Sequence, residues 1–325
     1  MVVGSDMTQA WLRRCEVTVA RTSLCVMLAL LIAAVTVVVE GQDFGAFHAG
    51  IDIVSLNVSV TSSDQRYVSD LVQSDFTVLE NGVPQPIRYF AKTGGPLSMA
   101  LLLDTSGSMK DVLPIAQEAA IGFVRQVTDR DVVSIIDFES RVEISQGLTG
   151  DISALERAIK GTQVGGATSL YNALYMALQE LNKPAPGDSG AAPRRRVIVV
   201  LSDGDDTSSA VTFAQVLERA LRSDTIIYGV GLGLGRQLTS RTDGESGELV
   251  LRRLSQQTGG RAFFTDEAKD LASFYGRIRD ELANQYLLAY ESPAPRDGKW
   301  RRLEVRVGRP NTTARTRSGY FAAAQ

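Results

Sequence analysis

The chain has 325 residues, 44% hydrophobic and 22% charged, with 34 Lys and Arg against 37 Asp and Glu for a net charge of -3. This is globular composition with length for one large core and something smaller, and it offers neither a basic surplus for nucleic acid nor an acidic block for a disordered tail. The two cysteines, Cys15 and Cys25, both precede the region read as folded, and the single histidine, His48, sits just after the apolar N-terminal run, which removes a Cys/His zinc site and a Cys-His nucleophile and leaves His48 as the only base for a Ser-His-Asp triad.

Residues 24–39 form an uncharged apolar run after Arg13, Arg14 and Arg21. That is a positive n-region followed by an h-region, shorter than the roughly 20 apolar residues that comfortably span a bilayer. Residues 1–41 therefore read as a cleaved signal peptide or an uncleaved signal anchor. Either places the folded part outside the cytoplasm, as a periplasmic, extracellular or membrane-anchored protein, with residues 24–39 as the candidate membrane attachment. His48 reads as a solvent-facing or strand-edge residue.

Residues 42–94 read as an N-terminal β segment. Val54, Leu56, Val58 and Val60 alternate with polar residues, the period of a half-buried strand. Phe76–Glu80 is a second strand. Asn81-Gly82 then predicts a hairpin into a strand from Val83 to Phe90, which Pro84 and Pro86 place at a sheet edge.

From Leu97 the rhythm changes, and residues 95–285 predict a doubly wound α/β domain, a mostly parallel sheet with helices on both faces. Strands are expected at 98–103, 132–138, 197–201, 226–230 and 262–264. Helices are expected around 112–127, where Val112, Ile115, Ala116, Ala119, Phe123 and Val127 share one face, and at 170–181, 213–221, 249–254 and 271–282. Residues 183–195, rich in Pro, Ala and Gly, predict a flexible surface loop. Residues 286–325 return to β, with Trp300, Leu303, Val305 and Val307 to bury. The C-terminal segment is expected to pair with 42–94 in one small sandwich-like domain, the α/β domain being inserted between Phe90 and Tyr286. Two separate β appendages are the alternative.

Asp104, Ser106 and Ser108 sit on one tight loop directly after the apolar strand ending at Leu103. In open α/β sheets ligands collect at strand carboxyl ends. Thr168 opens the helix that starts near Leu170, and Asp203 follows the strand that starts near Val197. Three hydroxyls and two carboxylates are hard oxygen donors suited to a hard cation. Mg²⁺ is the expected ion, with Mn²⁺ or Ca²⁺ as alternatives. Asp205 and Asp206 read as solvated loop residues. Gly229, Gly231, Gly233 and Gly235 lack the third glycine of G-x-G-x-x-G, and neither a Walker motif nor a G-x-S-x-G elbow occurs.

These residues resemble the von Willebrand factor type A family, whose metal-ion-dependent adhesion site is D-x-S-x-S, a distant Thr and a distant Asp. The flanks Asp-Thr-Ser-Gly-Ser-Met and Gly-Gly-Ala-Thr-Ser-Leu are similar too, and the "DFTVLENGVPQPI" run looks like the acidobacterial-type members. The resemblance implies that Ser106, Ser108 and Thr168 ligate directly, with Asp104 and Asp203 acting through water or in exchange. It also implies a last helix, 271–282, that shifts with metal coordination. The function expected is adhesion or assembly in the bacterial cell envelope, gripping a partner protein's Asp or Glu carboxylate, with no catalytic residue. A metal-assisted hydrolase and a structural envelope protein with a vestigial site are the alternatives.

Overall fold

The computed structural model describes residues 52–92, 95–186, 194–202, 206–233 and 246–324. The apolar run 24–39, Cys15, Cys25, His48, Asp203, Asp205 and Gly235 lie outside the described residues. Strand β1 (Asp52–Ser62) buries Val54, Leu56, Val58 and Val60, as its period-two pattern requires. β2 (Phe76–Glu80) turns through Asn81 and Gly82, at φ 48° and 83°, into β3 (Val83–Gln85). Both residue types tolerate that left-handed backbone. The single strand expected from Val83 to Phe90 is instead two. Pro86 has no N–H for a ladder, and beyond it the chain resumes as β4 (Ile87–Lys92) at the edge of a different sheet.

The central body runs β5 (Leu97–Asp104), α1 (Leu113–Val124), β6 (Val132–Phe138), β7 (Val142–Thr149), α2 (Ile152–Gly161), α3 (Leu170–Glu180), β8 (Arg195–Ser202), α4 (Phe213–Arg222), β9 (Thr225–Leu232), α5 (Gly247–Thr258), β10 (Ala262–Thr265) and α6 (Leu271–Ala283). Its sheet has the order β10-β9-β8-β5-β6-β7, parallel throughout except for β7. Successive side chains of a strand face opposite ways. Met99, Leu101 and Leu103 therefore enter one core with α1, α2 and α6, while Ala100 and Leu102 enter the other with α3, α4 and α5. The fold is mixed α/β with extra antiparallel sheets. Strands β11 (Tyr286–Ser292), β12 (Trp300–Val307), β13 (Thr312–Arg315) and β14 (Gly319–Phe321) complete two four-stranded sheets, β13-β1-β11-β4 and β14-β12-β2-β3. Leu56, Val58, Phe76, Tyr286, Leu288 and Leu303 share a third core.

Several expectations need correction. Ile115 was placed on the buried face of α1, but it is 44% exposed. The helix begins only at Leu113, and its buried stripe runs through Leu113, Ala116, Ala120, Phe123 and Val124 instead. Trp300 is 38% exposed, its ring laid against Phe321 at 5.1 Å rather than in the core. β7 and α2 went unread. α2 carried a usable signal, because Asp151 caps it by accepting from Ser153 N at 2.9 Å, and Leu155 and Ile159 bury at helical spacing. Helix α5 is longer than the expected 249–254. Gly259, at φ 86°, ends it. Of the 183–195 loop, Arg195 already belongs to β8 and Ala185 is buried.

Gly260 lies so close to β9 that a methyl group there would overlap the Ile227 carbonyl. Backbone cannot give way as a side chain can. Gly260→Ala is expected to destabilise by about 1–3 kcal/mol, measured by urea unfolding; an unchanged midpoint would contradict the packing.

Burial raises the phenol pKa of Tyr228 and Tyr275 above the ordinary 10.0, and Glu281 adds to the effect at Tyr228. A group whose folded pKa is raised contributes stability that is complete below its unfolded pKa and is lost as pH rises towards the folded value. Above pH 10 each of these two is therefore expected to remove about 1.4 kcal/mol per pH unit. Thermal melts between pH 9 and 12 check this, and a flat profile would refute it.

Candidate metal centre

Strand order reverses between β5 and β8. From β5 the chain passes to β6 on one side, and from β8 to β9 on the other. That is the switch point, where the loops leaving adjacent parallel strands diverge and open a crevice. Asp104 ends β5 beside Ser202, which ends β8. Asp104 is fully buried. Its Oδ1 accepts from Ser106 N at 2.9 Å and its Oδ2 from Ser202 Oγ at 2.6 Å. The carboxylate is thereby fixed in orientation. Ser202 was not singled out from sequence, although its place one residue before Asp203 was visible.

Ser106 is buried and Ser108 is exposed, with their Oγ atoms 3.1 Å apart. Two adjacent ligands of an octahedral ion with bonds of about 2.1 Å lie about 3.0 Å apart. The two hydroxyls therefore fit neighbouring positions on one Mg²⁺-sized ion. Both are neutral oxygen donors, which leave such an ion its positive charge.

The loop carrying Thr168 is bonded to the first one. Gly107 N donates to Gly166 O at 3.1 Å, and Gly165 N to Thr105 O at 2.8 Å. Thr168 is buried, and its carbonyl accepts from Thr207 N at 2.9 Å and Ser208 N at 3.1 Å. Thr207 Oγ1 in turn accepts from Thr168 N at 3.0 Å. Hydrogen bonds thus join the loops after β5, before α3 and after β8. A further brace comes from the turn after β6, where Ser140 Oγ accepts from Ala167 N at 2.8 Å and Glu139 O from Ser169 N at 2.9 Å. Sequence reading missed Ser140, Thr207 and Ser208, which hold backbone rather than carry a motif.

The carboxylates around the crevice are committed. Glu139 accepts from Ser140 N at 2.5 Å and Arg141 N at 3.2 Å, and its hydrogen bonds to Ser140 hold its pKa below the usual value. Asp206, expected as a solvated loop residue, instead accepts from Tyr171 N at 3.2 Å and Ser209 Oγ at 2.5 Å, tying its loop to the start of α3. Among the described residues no three His, Cys, Asp or Glu cluster as a metal site. A centre here rests on hydroxyls, which such a cluster does not count.

Residues 99–205 match the family described as von Willebrand factor type A domain. That span runs from β5 past the end of β8, so it contains Asp104, Ser106, Ser108, Thr168 and Asp203. The chain is 23% identical over 224 residues to inter-alpha-trypsin inhibitor heavy chain H1 of Sus scrofa, across 63% of this chain and 24% of that one. It is 28% identical over 210 residues to calcium-activated chloride channel regulator 1 of Sus scrofa, across 61% of this chain and 21% of that one. It thus spans about a quarter or less of each of these relatives. Among solved structures, von Willebrand factor type A from Catenulispora acidiphila aligns at TM-score 0.49 and 12% identity, over 85% of this chain and 76% of that one.

Proposed function

We propose, from the family match of residues 99–205, that this chain is a divalent-cation-dependent protein-binding module of the bacterial cell envelope, exported through its N-terminal segment. In this reading Ser106, Ser108 and Thr168 ligate Mg²⁺, while Asp104 and Asp203 act from just outside the hydroxyl ligands. The bound cation supplies the positive charge that a partner's Asp or Glu carboxylate completes. Asp104 orients the loop through Ser106 N and is itself held by Ser202. The observation that carries the reading is the 3.1 Å spacing of Ser106 Oγ and Ser108 Oγ at the switch point. Asp104, Glu139 and Asp206 are engaged by backbone or hydroxyl donors, so each serves as a brace, and binding rather than turnover is the activity proposed. Among the described residues no helix is long and apolar enough to cross a membrane. Membrane attachment, in this reading, is through residues 24–39.

Calorimetric titration of Mg²⁺ into the full chain and into Asp104→Ala tests the site, with Mn²⁺ and Ca²⁺ run alongside. Loss of an orienting group beside a metal lowers affinity by about 10–100-fold, and that is the expected result. At Mg²⁺ 100-fold above the dissociation constant, EDTA should remove about 2.7 kcal/mol of stability from the parent. Equal Mg²⁺ binding by parent and variant would reject the site. Partner capture from envelope extract should then require the metal, and capture undiminished by EDTA would leave the fold without a metal-dependent grip.

A further inference from the structure

Residues 293–324 carry eight Lys and Arg against two Asp and Glu, in a chain whose net charge is -3. Part of this excess collects at one end of the two four-stranded sheets. There β12 begins beyond the β2–β3 turn, with Arg302 N donating to Asn81 Oδ1 at 2.9 Å and Asn81 N to Arg302 O at 2.9 Å. The other sheet ends at the same level. Ser292 Oγ donates to Glu80 Oε2 at 2.9 Å, and Ser292 pairs with Asp52, the first residue of β1.

Ile53, Val83 and Trp300 all lie at this end and are 49%, 60% and 38% exposed. The ring of Trp300 crosses β14 at Gly319, where a methyl group would meet it at 2.3 Å, and stands edge to face with Phe321. Phe321 and Ile53 line one groove of about 360 Å³. Apolar residues scattered singly on a surface need no explanation, but these three share one end and sit among cations. Asp52, Glu291 and Asp297 are each paired there, with Arg296, Arg88 and Arg301. Arg302 is exposed and, among the described residues, has no ion pair. The Lys299 side chain is 76% exposed, 3.7 Å from Asp297.

An indole ring, apolar in body with one N–H, suits the boundary between water and lipid, and Lys or Arg beside it suits an anionic headgroup layer. The course of the chain favours lipid over other anionic surfaces. Twelve residues, 40–51, join residues 24–39 to β1, and fully extended they reach about 40 Å. With residues 24–39 attached to a membrane, β1 starts within that reach of the lipid, at the end that carries Trp300.

We propose that this end of the paired sheets docks on an anionic lipid surface, with Trp300 and Val83 at headgroup level and Lys299 and Arg302 on the lipid phosphates. The proposal rests on membrane attachment through residues 24–39, as read above, and does not depend on the metal. The metal centre lies at the carboxyl ends of β5 and β8, whereas β4 enters the α/β body at the start of β5, so docking leaves the crevice open to a partner.

Fluorescence on the full chain tests this. Trp11→Phe leaves Trp300 as the sole tryptophan. Its emission is expected to shift to the blue and to be quenched in vesicles of acyl-brominated phosphatidylcholine with phosphatidylglycerol, and to do neither in brominated phosphatidylcholine alone. Lys299→Glu combined with Arg302→Glu should abolish both changes, while Mg²⁺ titration stays as in the parent. High salt should reverse them, because exposed charges are screened. EDTA should not, so a failed metal centre leaves this result standing. Flotation of the same vesicles reads attachment through residues 24–39 separately. Equal Trp300 emission in the two vesicle types overturns the proposal even where the chain floats with both, as does quenching kept by the charge-reversed variant. Should that variant not fold, Val83→Asp decides, because quenching that survives it excludes this end of the sheets from the lipid. A response to polygalacturonate with none to either vesicle assigns the face to an acidic polysaccharide and overturns the proposal too.

Discussion

Glu281→Ala is expected to lower the unfolding free energy by about 3–5 kcal/mol. Glu281 lies on α6 and is 0% exposed. Its carboxylate accepts from Ser59 Oγ at 3.1 Å, Tyr67 OH at 3.0 Å and Tyr228 OH at 2.8 Å, and forms an ion pair with Arg315. Those partners come from β1, the segment after it, β9 and β13. One buried carboxylate thus ties the last helix of the α/β body to strands from both ends of the chain. Removing it leaves the Arg315 charge, about three-quarters buried, without a counter-ion, which is why breaking such a pair costs more than the pair contributes. Set against the 5–15 kcal/mol typical of a whole domain, the loss would take a large share of the total. Glu281→Gln keeps hydrogen-bonding capacity but not the charge, and should fall between parent and alanine variant. Urea unfolding of the full chain measures both, and midpoints matching the parent would show that the network contributes no stability.

Deleting residues 293–325 is expected to have the second large effect. It removes β12, β13 and β14 and with them Leu303, Val305 and Tyr320 from the third core. β2 then keeps only the short β3 as a neighbour, and β1 keeps only β11. Small sheets with one apolar face do not persist without cover, so residues 52–92 should become protease-sensitive. We propose that residues 42–94 and 286–325 act as a single domain into which 95–285 is inserted, and this truncation tests it. The pairing of Val54 with Tyr290 and of Val78 with Val305 supports that division. The α/β body would not be spared, because the same deletion strips Arg315 from Glu281. Limited proteolysis with mass spectrometry, followed by Mg²⁺ titration of what survives, reads both effects. N-terminal strands that stay resistant would refute the single-domain proposal, and a body as stable as the parent would refute the coupling through Glu281.

How much of this was legible depended on whether a residue's role was local. The alternation of apolar strands with amphipathic helices from Leu97 onward defines the α/β class, because burial on both faces of a parallel sheet demands continuous apolar strands. The Asn81-Gly82 turn is local too, since φ near 48° and 83° is a property of those two residues. The loop of Asp104, Ser106 and Ser108 was readable because its polar residues directly follow the apolar strand ending at Leu103. Ser202, Ser140 and Thr207 were not readable as parts of the same place. Each acts on a partner 27 to 98 residues away, and the chain between carries no trace of that pairing.

Tertiary structure alone decided the rest. Pro84 and Pro86 announced a sheet edge, but not that the strand would change sheets at Pro86. Trp300 has the character of a core residue and is 38% exposed, because its ring lies over Gly319 and against Phe321 of the edge strand β14 rather than in the core. Ile115 fits a helical stripe by spacing, yet only the start of α1 at Leu113 decides which way that stripe faces. Glu281 was not singled out from the sequence. Its burial follows from β9, β1 and β13 closing over it, which no pattern within α6 encodes. Sequence periodicity reports which face of an element is apolar. What covers that face, and which polar group is trapped beneath the cover, depends on contacts between residues far apart in the chain.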